Sequence, residues 1–433
     1  MKRLKVVLIG AGNRGKAYTD NMKDLPDWFE VVAVAEPIES RRKEIQEIHN
    51  IPDDLCFPDW RELLEKPKMG EIAIVSTMDK DHFEPAVAAI NLGYNLLLEK
   101  PACPTPEECL KLEAAANKKG VVVVVCHVLR YTSFFNKLKE IIQSGEIGEV
   151  VTVNHEECVG AVHQSHSFVR GNWGNEARSS CMLLQKSCHD MDILQWLLDK
   201  KLTRVSSFGG LYYFNEAHAP EGAPERCLEG CPVGDTCPYN TDKLYMVDNH
   251  DAMSEWFRTT CAREADPTDE MVEKALRTTQ YGKCVFKCDN DVVDHQTVNL
   301  EFEGGTTATF TMCAFNKGKR MFHIMGTKGE ITADLSGEDL PIKIYNIATD
   351  ETREVSASGK DGIVGGHGGG DMGIMSALYH SVCGDYTGQS LSDISTSVAN
   401  HMIVFAAEKA RKEGVVLDFN QYIADMKKSL GIE

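Results

Sequence analysis

The stretch Lys5 to Gly15 reads K-V-V-L-I-G-A-G-N-R-G, and the fold turns on it. Lys5 to Gly10 is β-branched and apolar on both faces, as a strand buried on both sides of a parallel sheet must be. It runs directly into G-x-G-x-x-G at Gly10, Gly12 and Gly15, followed by a helical stretch. The first glycine permits a tight turn, the second lets backbone approach a pyrophosphate, and the third lets the helix pack on the strand. Amide groups at the new helix start then meet the phosphates. Gly10, Gly12, Asn13, Arg14 and Gly15 are the expected dinucleotide cradle, because the motif sits in the strand–turn–helix setting that gives it meaning. The next strand, Glu30 to Ala35, ends at Glu36. A carboxylate about 20 residues beyond the fingerprint is placed to accept the ribose hydroxyls of NAD. The plainer alternative is a solvated glutamate at a strand end. Arg41 and Arg42 suit a 2′-phosphate, but the Glu36 carboxylate repels one, so NAD is expected ahead of NADP.

Working outward, Gly70 to Thr77, Asn95 to Glu99 and Val121 to Cys126 read as further buried strands. Between them lie a helix over His82 to Leu92, closed by Gly93, and one opened by Thr105, Pro106 and Glu108, a capping box with proline at the first helical position. Strands alternating with helices at this spacing imply a doubly wound parallel sheet over residues 1–130, an α/β Rossmann-type unit. Asn95 to Pro101, N-L-L-L-E-K-P, brings Glu99 and Lys100 to the carboxyl end of a strand, where open α/β sheets bind their ligands. Thr77, His82, Glu99 and Lys100 are accordingly counted with the cofactor contacts. A surface lysine just past a strand is the alternative for Lys100 taken alone.

Beyond Lys139 the pattern changes. Gly148–Cys158, Arg204–Phe214, Val292–Phe302, Thr306–Phe315, Met321–Met325, Glu330–Ala333 and Ile342–Ile347 read as strands, several joined by short turns. This suits an antiparallel meander. Helices are expected over Lys186–Leu198, Asp371–Cys383 and Leu391–Lys412. Residues 131–433 thus read as an α+β domain on a large, mostly antiparallel open sheet, with a Cys-rich insertion at about 215–291. The Gly- and Ser-rich stretch Val355 to Gly370 reads as a flexible loop.

The 433 residues can bury a large core. A net charge of -19 makes nucleic acid a poor partner. No apolar run approaches the roughly 20 residues needed to cross a bilayer, so no membrane partner is expected. The basic, apolar start mimics a signal peptide but runs into the glycine turn rather than a cleavage site. With 15 cysteines, an odd number, a reducing cytoplasm and free thiols are expected. Cys227, Cys231 and Cys237 form C-x3-C-x5-C, which is not the paired spacing of common zinc ribbons. A structural zinc there stays an alternative to free thiols, and no catalytic metal is expected.

The G-A-G-N-R-G turn, E-K-P at Glu99 to Pro101, H-V-L-R-Y at His127 to Tyr131 and C-H-D-M-D at Cys188 to Asp192 together resemble the glucose-fructose oxidoreductase and inositol dehydrogenase family (Gfo/Idh/MocA). Order and spacing match over nearly the whole chain. The resemblance implies a tightly held nicotinamide cofactor and substrates that are sugars, polyols or glycosides. It also implies a homo-oligomer, dimer or tetramer, assembled through the open sheet. Lys100 corresponds to the family's catalytic lysine, His189 to its active-site histidine, and Arg130 to an arginine near the nicotinamide pocket. The bond before Pro101 is cis in the family. One departure stands out: the aspartate many members carry four residues before the histidine is Gln185 here, and Lys186 is the candidate to replace it.

Oxidising a secondary alcohol needs a base for the hydroxyl proton and a means of holding the carbon against the nicotinamide. His189 is the natural acceptor. Lys100 beside it would orient the hydroxyl, and its like charge would depress the histidine's pKa. Arg170 and Trp173, on the loop Cys158 to Gly174, suit hydroxyls and a sugar face, against an alternative of core packing and surface charge. His163 and His166 of that loop read as solvated. His367, in the G-G-H-G-G-G-D run ending at Asp371, is a candidate substrate contact. The leading reading is an NAD(P)-dependent dehydrogenase of carbohydrate CH–OH groups. Alternatives are a glycosidase working by transient oxidation, elimination and re-reduction, and a non-catalytic sensor, which retention of Lys100 and His189 argues against.

Overall fold

The computed structural model describes residues 2–247, 251–335, 340–357 and 366–432. Its first sheet holds six parallel strands: β1 (Leu4–Ile9), β2 (Phe29–Ala35), β3 (Cys56–Phe57), β4 (Ile72–Val75), β5 (Asn95–Leu98) and β6 (Val123–Val125). Their order is β3-β2-β1-β4-β5-β6. Strand order reverses between β1 and β4, which opens a crevice at the carboxyl ends of the strands. The apolar runs seen in the sequence are these strands, buried on both faces. Thr105 caps the helix Pro106–Lys119 as anticipated, its hydroxyl oxygen accepting from the Glu108 N–H at 3.2 Å.

Nine strands make the second sheet: β7 (Val150–Cys158), β8 (Leu202–Gly210), β9 (His295–Phe302), β10 (Thr307–Cys313), β11 (Lys319–Gly326), β12 (Gly329–Asp334), β13 (Pro341–Asn346), β14 (Glu351–Ser356) and β15 (Leu417–Asp418). The order is β14-β13-β12-β11-β7-β10-β9-β8-β15. All pairs are antiparallel except β7 with β10. One face carries alternate apolar residues such as Val298, Leu300, Phe310 and Ile324, which pack against Ser133–Gln143, Cys188–Leu198 and Ile394–Glu413.

Three departures from the sequence reading follow from packing. β14 (E-T-R-E-V-S) is an exposed edge strand with no apolar alternation, so Val355 and Ser356 belong to a strand rather than the expected loop. Residues 358–365 of that loop lie outside the described residues. The helix expected from Lys186 instead starts at Cys188, after a separate short turn Met182–Gln185. The C-terminal helices also return to the first sheet. Ile374, Met375 and Leu378 join the core on one of its faces, and Ile394, Val398 and Met402 join the core on the other. Residues 1–130 therefore do not complete their own core.

Candidate active site

The glycine turn has the geometry its three positions require. Gly10 adopts φ +92°, and a Cβ there would meet the Ser76 carbonyl oxygen at 2.6 Å. A Cβ on Gly15 would stand 2.1 Å from the Gly10 carbonyl oxygen, which is why the helix Asn13–Lys23 lies so close to β1. Around Gly12 the nearest atom is Arg41 Nη1 at 4.0 Å, leaving open the side on which a pyrophosphate would approach. Glu36 is buried at the end of β2, its oxygens accepting from the Ala11 N–H at 2.7 Å and the Ile38 N–H at 2.9 Å. It braces the glycine turn while keeping lone pairs for ribose hydroxyls. These residues fit a dinucleotide.

Next along the crevice, Arg14 bridges the two ends of the chain. Its guanidinium donates to Glu99 Oε1 at 2.9 Å, to Asp371 Oδ1 at 2.6 Å and to the Tyr18 hydroxyl at 2.7 Å. Tyr18 in turn donates to Glu99, whose other oxygen accepts from the Lys100 N–H at 2.7 Å. Burial acts to raise the Glu99 pKa, but the Arg14 and Lys100 cations outweigh it and hold the carboxyl below its usual range. The Lys100–Pro101 peptide is cis. His82 lies against the carbonyl oxygens of Pro101 at 2.7 Å and Thr77 at 3.1 Å, and His401 Nε2 accepts from the Ala102 N–H at 3.0 Å. With its backbone so fixed, Lys100 extends its ammonium to the Gln185 carbonyl oxygen at 2.9 Å.

That carbonyl lies one turn before His189, which stands in the first turn of the helix Cys188–Leu198. The wall beside it comes from the second sheet. Asp190 accepts from Arg320 Nε at 2.7 Å and contacts His155 Nε2 at 2.8 Å. Arg320 also reaches Glu157 at 2.5 Å, and Lys186 lies 3.3 Å from the other oxygen of Glu157. Burial works to raise the Asp190 pKa, yet Arg320 and His155 bring it down to about 2. Lys186 is only 24% exposed and points into this wall, whereas the Gln185 side chain turns away onto the Ser180 carbonyl.

His163 shows what sequence reasoning missed. It is no solvated loop residue: burial first, then the neighbouring Lys186 and Lys100 cations, push its pKa down to about 3. It is a neutral imidazole packed edge-on against Trp256 of the insertion, with 5.2 Å between ring centroids. Nothing local in H-Q-S-H signals this, because the burial comes from a helix 90 residues downstream.

Other candidates are placed elsewhere. Arg170 is fully buried in the insertion, donating to the carbonyls of Lys283 and Tyr239 at 2.8 Å each and to Cys227 Sγ at 3.5 Å. It is thus not offered to a substrate. Trp173 donates its indole N–H to the Asp79 carboxylate at 3.2 Å, joining the second domain to the segment after β4, and its ring lies 6.2 Å from that of Phe168. Arg130 is buried in a two-pronged pair with Asp192 at 2.7 and 2.8 Å, behind the site rather than in it. His82 likewise braces the Lys100 loop from within. The Thr77 hydroxyl donates to the Asp81 carbonyl at 2.8 Å. The side chain of His367 lies outside the described residues. All fifteen cysteines are free, and among the described residues no three His, Cys, Asp or Glu side chains stand together as a metal site. Nor, among these residues, is any helix long and apolar enough to cross a membrane.

Residues 4–127 match the model of an oxidoreductase family with an NAD-binding Rossmann fold, GFO/IDH/MocA, and residues 135–332 match that family's C-terminal domain. The chain is 26% identical over 354 residues to YteT of Bacillus subtilis, an oxidoreductase by name, covering 78% of each chain. It is also 26% identical over 206 residues to inositol 2-dehydrogenase of Salmonella typhimurium, a match spanning 47% of this chain and 57% of that enzyme. Levoglucosan dehydrogenase, solved with NADH and levoglucosan, shares the fold with a TM-score of 0.69 at 16% identity, over 96% of this chain and 99% of that one.

Proposed function

Because the chain belongs to the GFO/IDH/MocA family of NAD(P)-dependent oxidoreductases, we propose that it moves a hydride between NAD and a secondary hydroxyl of a sugar, polyol or glycoside. One observation supports the reading: the Lys100 ammonium crosses from the first sheet to the Gln185 carbonyl, one turn before His189, which ties the lysine to the segment that carries the histidine. Gly10, Gly12, Asn13 and Gly15 would hold the pyrophosphate and Glu36 the ribose. When bound, the nicotinamide supplies the hydride acceptor. The chain's own part is to bind and to move a proton. Lys100 orients the substrate hydroxyl and steadies negative charge as it develops on that oxygen. His189 takes the proton. Lys186 and neutral His163 hydrogen-bond the neighbouring hydroxyls, and Trp256 closes the pocket from the insertion side. Glu36 favours NAD over NADP. Similar proteins named for inositol and levoglucosan support the substrate class.

The test is to purify the protein, denature it and identify the released nucleotide, then offer the intact protein myo-inositol, levoglucosan and an aryl glycoside. Growth of reduced-nicotinamide absorbance with a polyol or sugar is the expected result. Phenol release from the aryl glycoside without net reduction would replace the dehydrogenase reading with the glycosidase one.

A further inference from the structure

Behind His189 stands a second imidazole that this chemistry leaves unused. His127 follows β6 and is wholly buried. Its ring lies edge-to-face with His189 at 5.7 Å between centroids, and with His401 at 5.5 Å on its other side. The column is fixed at its far end, where His401 donates to the Ser397 carbonyl at 2.7 Å and accepts from the Ala102 N–H. Asp192 lies 4.0 Å from His127 Nδ1, but its oxygens are engaged by Arg130 and by Asn400 at 2.5 Å. Among the described residues neither ring nitrogen of His127 has a hydrogen-bond partner.

A buried polar atom left unpaired is destabilising, so two in one ring beside the proposed base need a physical reason. The groups facing this ring are Asp192 and His189 from the helix Cys188–Leu198, Arg130 from its own turn, Glu99 and Lys100 from the end of β5, and His401. Burial above all, with Arg130 and Lys100, holds its pKa below the usual value against the pull of Asp192. The ring is neutral and keeps one lone-pair nitrogen. An acceptor idle in the ground state and engaged only when charge appears nearby stabilises the charged state selectively, which is what lowers a barrier.

We propose that His127 is a positioning residue for His189: its ring supplies the hydrogen-bond acceptor that His189 uses once it has taken up the substrate's proton. The inference rests on His189 as the base, but its test needs no substrate. The full chain is labelled with 13C at histidine Cε1, the His189 signal is assigned by its loss in His189→Gln, and its titration is followed in wild type, His127→Phe and His127→Gln. Phenylalanine keeps the ring packing without an acceptor, and glutamine keeps an acceptor. The expected result is a His189 midpoint lowered by about one pH unit in His127→Phe, because a partner of the charged form is gone, and at least half restored in His127→Gln. An unmoved midpoint in His127→Phe, or equal shifts in both variants, overturns the proposal. If His127→Phe does not fold, His127→Leu gives the same comparison. A shifted midpoint in a protein that turns over no carbohydrate would keep the His127 contact and sink the proposed function instead.

Discussion

The two sides of the candidate site are built in opposite ways. The first sheet contributes Gly10, Gly12, Gly15, Glu36, Glu99 and Lys100 at its strand ends, where a short stretch of chain determines each backbone shape. The second sheet contributes Glu157 from β7 and Arg320 from β11, joined to Asp190 and Lys186. No two of those last contacts could be guessed from neighbours in sequence. On one side conformation makes the site; on the other, charge compensation in a buried place does. The two sides should therefore fail differently when damaged.

The largest effects are expected on the strand-end side, and on function rather than folding. Gly12→Val puts a branched side chain into the open approach over the turn, so protein purified from this variant should release no dinucleotide on denaturation. Lys100→Ala should keep its nucleotide but lose about 10²–10⁴-fold in turnover on the substrate found by screening, measured under single-turnover conditions. Unchanged turnover would remove Lys100 from the proposed chemistry.

The wall should answer in stability. Arg320→Met leaves Glu157 and Asp190 buried without their shared cation, and a loss of about 3–5 kcal/mol is expected by urea unfolding. A variant as stable as wild type would show that the network is dispensable.

Acid should reveal the buried titratable groups around the site gradually. His163 and His401 have folded pKa values pushed down to about 3, so below their usual value of about 6.5 only the unfolded chain takes up those protons. Each should cost up to about 1.4 kcal/mol of stability per pH unit as the pH falls from about 6.5 towards 3. Asp190, depressed to about 2, adds a further loss between its ordinary value and about 2, as the stabilising carboxylate is protonated. Urea midpoints against pH should slope less steeply in His401→Asn. The smallest effect is local: Thr105→Ala removes a cap and should cost about 1 kcal/mol by the same measurement.

Much of the fold was legible because its signals are local. The apolar runs of β1, β2, β4, β5 and β6, the turn at Gly10 and the cap at Thr105 each satisfy a rule spanning a few residues. The meander was legible from alternation, and β14 was not, because an exposed edge strand needs no apolar face. For the candidate site, Lys100 and His189 were nominated by motif. Arg170 was misjudged because the same loop that packs His163 on Trp256 buries the guanidinium among insertion carbonyls. Charge alone cannot say which way a loop residue faces.

By itself the amino-acid order determined the parallel sheet and the glycine turn of the NAD-binding unit, since these depend on hydrophobic period and on backbone freedom at single positions. Only the tertiary structure decided that the C-terminal helices complete the first sheet's core and that Asp192 holds Arg130 behind the site. It alone packed His163 against Trp256 and His127 against His189. The physical reason is that burial and electrostatic compensation arise from everything packed around a group, and most of that arrives from distant parts of the chain.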